Sequence, residues 1–243
     1  MPNYCITIEY DGSAFAGWQL QPEQRTIQGE LESALARLNR GKPTRIHGAG
    51  RTDTGVHARG QVANFIIDQK WDEEELRRAI NGNVGRDVYI HKCQKVDDDF
   101  HARFSARSRR YSYRCRINNA ILDRNYVWRL GWLPAVEILQ ACADIVKGEH
   151  DFTSFSKWSS GVKNRSCIVQ QSRWINDGDF VTYTIEANHF LQHMIRYLVG
   201  TMIEVAKKKI SVEDFQFLLE ERNPQARIYK APAEGLILEE VNY

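Results

Sequence analysis

The sequence predicts an α+β protein made of two similar halves, and three observations carry that expectation. Segments of alternating hydrophobicity interleave with segments of helical period. The order over about the first hundred residues is β-α-β-β-α-β, the split β-α-β or ferredoxin-like arrangement, and the second half repeats it loosely. The chain has 243 residues, 42% hydrophobic and 26% charged, which suffices for a real core as one large or two modest domains.

"YCITIEYDG" alternates Tyr4, Ile6, Ile8 and Tyr10 with polar neighbours and ends in the Asp11-Gly12 turn, so it reads as the first strand. Ile27, Leu31, Ala34, Leu35 and Leu38 recur at helical spacing; with Thr26 as a cap and Gly41 as a stop they predict a helix over Thr26 to Asn39. A strand into Ile46, the loop from Gly48 to Arg59 and a strand through "QVANFII" follow. "WDEEELRRAING" offers a capping box from Asp72 to Glu75 and a stop at Gly82, hence a short helix, and "DVYIHKCQKV" is the next strand.

In the second half "RRYSYRCRIN" is a strand. "PAVEILQACADIVKG" is a helix with Pro134 in its first turn and Gly148 at its end. "CIVQQSRWINDGDFVTYTIEA" is a hairpin turning at Asp177-Gly178. The apolar stretch "HFLQHMIRYLVGTMIEVAKK" predicts a long helix, "VEDFQFLLEER" one capped by Ser211 and Asp214, and "GLILEEVNY" a closing strand. The expected division is residues 1–104 and 105–243, with the junction within 101–109.

Composition narrows the class. Cysteines at positions 5, 93, 115, 142 and 167 form no C-x-x-C pair and no cluster with histidine, so neither a zinc site nor a disulfide framework is expected. A reducing, cytoplasmic setting fits them. The N-terminal "MPNYCITIEYDG" lacks the pattern of a signal peptide, and no apolar run approaches the roughly 20 residues that span a bilayer. Net charge is only +2, with a pI near 8.2. The distribution is more telling, because "FHARFSARSRRYSYRCR" from Phe100 to Arg116 contains six arginines and no acid. Such a block forms a solvated face or meets phosphates.

The stretch "GAGRTDTGVHARGQ" sets one carboxylate, Asp53, among glycines, threonines and arginines. Gly48, Gly50 and Gly55 permit backbone shapes that hold it at a sharp bend beside a ligand. If residues 51 to 53 are extended, Arg51 and Asp53 share one side, and the guanidinium favours the ionised carboxylate that a nucleophile or base needs. Spacing alone serves an Asx turn tied by a salt bridge at least as well. Nucleotide binding is disfavoured: the loop lacks both the G-x-x-x-x-G-K-[ST] and G-x-G-x-x-G patterns and leads into a strand. No second carboxylate stands close in sequence, which favours chemistry needing one carboxylate and no metal.

"GRTDTGVHARGQVANF" resembles the signature around the catalytic aspartate of the tRNA pseudouridine synthase A (TruA) family. "YDGSAFAGWQLQP", "TIQGELESAL", "DFHARFSARSRRYSY", "DFTSF", "NHFLQHMIRYLVGTMIEV" and "APAEGL" follow in that family's order along essentially the whole chain. The resemblance implies a pseudouridine synthase fold: two ferredoxin-like (RRM-like) halves, a shared mostly antiparallel sheet and a central RNA-binding cleft. It implies isomerisation of uridine to pseudouridine in the anticodon stem-loop of tRNA, at family positions 38, 39 and 40, by a homodimer without metal, nucleotide or other cofactor.

It also implies roles. Asp53 is the essential residue, attacking base or sugar or assisting a glycal-like route. Arg51 orients it and keeps it ionised. Tyr111, in "RRYSY", lies against the target base, where its ring stacks and its phenol relays the C5 proton. Arg196 needs a partner within an apolar helix, and Asp53 is the expected one. Leu236, in "AEGL", packs against the uracil. His193, Arg59, Arg109 and Arg110 are candidate RNA contacts, as are Arg25, Arg165 and Lys163. By pattern alone, Tyr111 with Tyr113 equally suits strand packing, and Arg196 equally suits a snorkelling arginine. The rival reading is a ferredoxin-like RNA-binding or tRNA-folding protein without chemistry, against which the intact Asp53, Arg51 and Tyr111 set argues.

Overall fold

The computed structural model describes residues 1–119, 121–158 and 164–243. Lys163 and the middle of the 156–167 segment, expected as a loop closing on tRNA, lie outside the described residues. In chain order the first elements are β1 (Asn3–Tyr10), α1 (Ile27–Leu38), β2 (Ile46–Gly48), β3 (His57–Ile66), α2 (Glu73–Asn81) and β4 (Val88–Val96). Then come β5 (Ser108–Arg116), β6 (Trp128–Arg129), α3 (Val136–Ile145), β7 (Gly148–Asp151), β8 (Ser166–Asp177) and β9 (Phe180–Ala187). The last are α4 (Met194–Ala206), α5 (Val212–Glu221) and β10 (Leu236–Asn242). The chain forms two compact units, Met1–Arg107 with Ile237–Tyr243, and Ser108–Leu236.

In the first unit β1 lies between β4 and β3, antiparallel to both. Two strands share the other edge of β3. β2 pairs antiparallel with Ala63–Phe65, and β10 runs parallel beside His57 and Ala58. The order β4-β1-β3-β2 is that of a ferredoxin-like sheet. β3 starts at His57, earlier than its apolar run suggests, because β10 supplies a partner for its first residues. Thr26 caps α1 by accepting the Gly29 N–H, and Asp72 caps α2 by accepting from Glu74 and Glu75. Ile6, Ile8, Leu31, Leu35, Phe65 and Ile90 are completely buried between sheet and helices.

The second unit has the antiparallel order β5-β9-β8-β7. The β8–β9 hairpin turns at Asp177-Gly178, with Gly178 at a φ of +61°. Helices α3, α4 and α5 bury Leu139, Leu198, Met202 and Phe215, and Trp174 stacks 5.0 Å from Tyr183. Pro134 stands before α3, whose cap is Ala135, and Gly148 opens β7. α4 starts only at Met194, because His193 takes a left-handed φ of 66° that a right-handed helix cannot continue. Gln192 therefore stands outside the helix that carries Arg196. α5 has the full reciprocal box, with the Asp214 N–H donating to Ser211 Oγ and the Ser211 N–H to Asp214 Oδ2.

All five cysteines are buried and unpaired by disulfides. Burial pushes the Cys5 thiol up to about 11 and the thiols of Cys93, Cys142 and Cys167 up to about 12. Among the described residues no helix is long and apolar enough to cross a membrane.

Candidate active site

The loop before β3 carries Arg51, exposed, and Asp53, half-buried. Its backbone is held from two directions within the first unit. The Val56 N–H donates to the Asp53 carbonyl at 3.1 Å, closing the turn in which Gly55 takes a φ of +77°. From the segment after β1, the Trp18 N–H donates to the Thr52 carbonyl at 3.0 Å. Gly17 lies beside it at a φ of +91°, so close that a Cβ there would stand 2.6 Å from the Thr52 oxygen and 3.0 Å from the Asp53 carbonyl carbon.

Side chains complete the cradle. The Tyr10 and Thr52 hydroxyls are hydrogen-bonded at 2.8 Å in a buried contact. Burial pushes the Tyr10 phenol up to about 12, against hydrogen bonds with Thr52 and Gln61 that lower it. Gln61 donates to the Gly50 carbonyl at 3.0 Å, and the Ala49 N–H donates to Val62. A carboxylate on a loop fixed at Ala49, Gly50, Thr52 and Val56 is a preorganised group rather than one on a drifting turn.

Tyr111, Arg196 and Leu236 belong to the second unit. Tyr111 on β5 faces Ile185 of β9, is nearly buried, and packs edge-on to Phe190 with centroids 5.2 Å apart. Tyr113, two residues on, is fully buried and donates its hydroxyl hydrogen to the Pro232 carbonyl at 2.8 Å. Arg196 donates from Nε to the Ala231 carbonyl at 2.9 Å, and the Ala231 N–H returns to the Arg196 carbonyl. The 229–231 strand of chain thus lies against α4. Gly200, one turn on, permits this approach, since a Cβ there would come within 2.7 Å of the Ala231 nitrogen. Leu236 is buried at the start of β10, its N–H bonded to Ala233.

The expected RNA contacts are less uniform. Arg109 is only 8% exposed and donates to the Asn188 carbonyl at 2.7 Å, a structural tie. Arg110 is half-buried opposite Glu186. Arg59 pairs with Glu239 at 2.9 Å. Arg25 grips Asp87 through both terminal nitrogens, bonds Glu30 and lies 4.1 Å from the centre of the Phe15 ring. Arg165 is buried, bonded to Ser156 and 4.5 Å from the Trp158 ring centre. His193 caps α4, and its Nε2 lies 3.2 Å from Lys230 Nζ. Among the described residues no group of three or more His, Cys, Asp or Glu side chains could hold a metal.

A family model described as tRNA pseudouridine synthase matches residues 6–105 and 142–243. The tRNA pseudouridine synthase A of Streptococcus pneumoniae (strain 70585) is 38% identical over 248 residues, covering 100% of this chain and 99% of its own. The chain belongs to the tRNA pseudouridine synthase A (TruA) family. The enzymes of the same name from S. pneumoniae serotype 4 (strain ATCC BAA-334 / TIGR4) and strain Hungary19A-6 are 38% and 37% identical with the same coverage. Among solved structures, "Crystal Structure of a Cbf5-Nop10-Gar1 Complex" covers 96% of this chain and 57% of its own at 11% identity, but a TM-score of 0.36 is too low to bear on the fold.

Arg51, Asp53 and Arg59 lie within the first matched TruA-family segment, and His193, Arg196 and Leu236 within the second. Arg109, Arg110 and Tyr111 fall in the interval between them, which the full-length relatives do cover. Sequence reading missed the supports of the loop. Tyr10, Gly17 and Trp18 stand thirty or more residues before it, and only the glycine's positive φ and its near contact with Thr52, seen once the chain is folded, reveal its part.

Proposed function

We infer that this chain converts uridine to pseudouridine in tRNA. The observation that carries the reading is one carboxylate, Asp53, on a loop whose backbone is pinned by Trp18, Gln61 and its own turn, in a chain of the TruA family. The reaction is an isomerisation: the bond from N1 to the ribose C1′ breaks, the detached uracil turns, and C5 bonds to C1′. The proton lost from C5 balances the one gained at N1, so no electron donor or acceptor enters.

Asp53 is the reacting carboxylate in this reading, whether it attacks the base, attacks the sugar or assists a glycal route. Arg51 orients it, Arg196 supplies a cation, Tyr111 offers a ring to the uracil and a phenol for the C5 proton, and Leu236 gives an apolar wall. A uridine in a paired stem must leave the stack first, at a cost of a few kcal/mol that binding elsewhere has to offset. The targets are the anticodon stem-loop uridines at family positions 38, 39 and 40, and the working form is a cytoplasmic homodimer. Sedimentation as a monomer at assay concentrations would contradict the dimer.

Carbodiimide treatment and primer extension on tRNA exposed to the enzyme tests the activity. New stops at anticodon-arm uridines are expected. Unmodified tRNA that still binds tightly would favour the rival reading of an RNA-binding protein.

A further inference from the structure

Aromatic residues at the surface of the first unit are organised. Phe104 keeps 76% of its surface open, and its ring centroid lies 4.4 Å from that of His101, with the planes 40° apart. His101 lies 5.0 Å from His47 at 42°. The three rings form a short row of tilted contacts with Phe104 at its open end. The Arg103 guanidinium carbon is 5.7 Å from the Phe104 ring centre, and Arg45 acts on His47 electrostatically.

The row is tied down by hydrogen bonds. The His101 N–H donates to Ser105 Oγ at 3.1 Å, and the Ser105 N–H returns to the His101 carbonyl at 2.9 Å. The Arg103 N–H donates to His101 Nδ1 at 3.1 Å, which holds the ring's orientation. Asn64 ties this turn to the sheet: its Oδ1 accepts from the Ala102 N–H, and its Nδ2 donates to Asn3 and to the Phe100 carbonyl. Tyr243 donates its hydroxyl hydrogen to the Ala102 carbonyl and packs its ring 5.0 Å from Phe100. Asn64 is also the partner of His47 across the β2–β3 ladder, so both ends of the row spring from one point of the sheet.

A single exposed phenylalanine means little. Here the ring is held by a turn with bonds at nearly every residue, continued by two imidazoles, with Arg103 at its edge and Arg45 beside His47 at the far end. Burial, His101 and Arg45 lower the pKa of His47, so its ring is neutral at pH 7 and puts no further positive charge beside the arginines. A protein partner would need a contiguous apolar patch. A flat ring with cations at its margin suits a base with its backbone phosphates, because every base has a π-face and each phosphate a charge.

We propose that Phe104, backed by His101 and His47, is a stacking platform for an unpaired base of the RNA substrate, with Arg103 and Arg45 reaching the adjoining phosphates. His47 immediately precedes Gly48, where the Asp53 loop begins, so a base held there is anchored to the same strand and loop that carry the carboxylate. This inference rests on the RNA-substrate reading and adds a contact distinct from the isomerised uridine.

The test compares wild type, Phe104→Leu and Phe104→Trp in tRNA binding at fixed salt, with thermal melting as a control. An exposed ring leaves the core intact, so all three should melt alike. The leucine variant keeps the apolar bulk and loses the π-face; its Kd should rise roughly five- to hundredfold. The tryptophan variant should bind within about twofold of wild type and show extra fluorescence quenching by tRNA. Wild-type affinity in the leucine variant would overturn the proposal, as would equal weakening in both variants without quenching. A change in sedimentation with unchanged tRNA affinity would overturn it too and assign the face to a second copy. Wild type that binds no tRNA would refute the RNA-substrate reading itself.

Discussion

Replacing Gly17 by alanine should disable the Asp53 loop without touching its sequence. At a φ of +91° the new methyl carbon would stand 2.6 Å from the Thr52 carbonyl oxygen, whereas ordinary contact begins near 3.4 Å. The loop or the Gly17 segment must therefore yield by about 0.8 Å. The left-handed conformation itself costs a non-glycine residue about 1–2 kcal/mol. A catalytic group misplaced by ~1 Å loses on the order of a hundredfold in rate. Single-turnover release of tritium from C5-labelled uridine in tRNA should accordingly fall by about two orders of magnitude. A destabilisation of about 2 kcal/mol should lower Tm by roughly 4–8 °C in a chain of this length, leaving the variant folded at 25 °C. Affinity for tRNA should stay within about threefold. An alanine variant with wild-type turnover would refute the reasoning, because the methyl would then have been absorbed without moving the carboxylate.

Other consequences concern the scaffold. Arg25 holds Asp87 below the usual carboxylate range, against the opposing effect of burial. The stabilisation is therefore complete above the unfolded carboxylate pKa of about 3.9 and fades as pH falls through the lower folded value. Asp87→Asn should lower Tm at pH 7, and the gap to wild type should shrink as pH falls below the usual carboxylate range; a gap as wide in acid as at pH 7 would contradict this. Tyr113→Phe removes the hydrogen bond to the Pro232 carbonyl and should cost about 1–3 kcal/mol in denaturant unfolding. An unchanged midpoint would show that the carbonyl finds another donor. The five buried thiols should resist a disulfide reagent at pH 8 in the native protein and react together on unfolding. Rapid labelling of any of them in the native state would contradict their burial.

Features set by neighbours in the chain were legible before the fold was known. Thr26, Asp72 and Ser211 cap the helices for which their side chains suit them, because a cap is satisfied within three residues. The alternation from Tyr4 to Tyr10 became β1, and the family resemblance of the motif blocks is borne out by TruA relatives matched over the full chain. Features set by distant partners, by a single backbone angle or by very short strands were not legible. The early start of β3 depends on β10, whose residues stand about 180 positions later. The late start of α4 depends on the left-handed His193, which the apolar period of "HFLQHMIRY" conceals. β6 and β7, two and four residues long, are too short to show a period. At the candidate site, the Gly-rich run announced the Asp53 loop, whereas the grip of Gly17 and Trp18 on its backbone arises only on folding.

The most direct test of the account is tritium release from C5-labelled uridine in whole tRNA, with wild type and Asp53→Asn compared beside a measurement of tRNA binding. The account predicts release by wild type, none above background by the asparagine variant, and binding nearly equal in the two. Release that survives the substitution would contradict the central claim that this carboxylate performs the isomerisation.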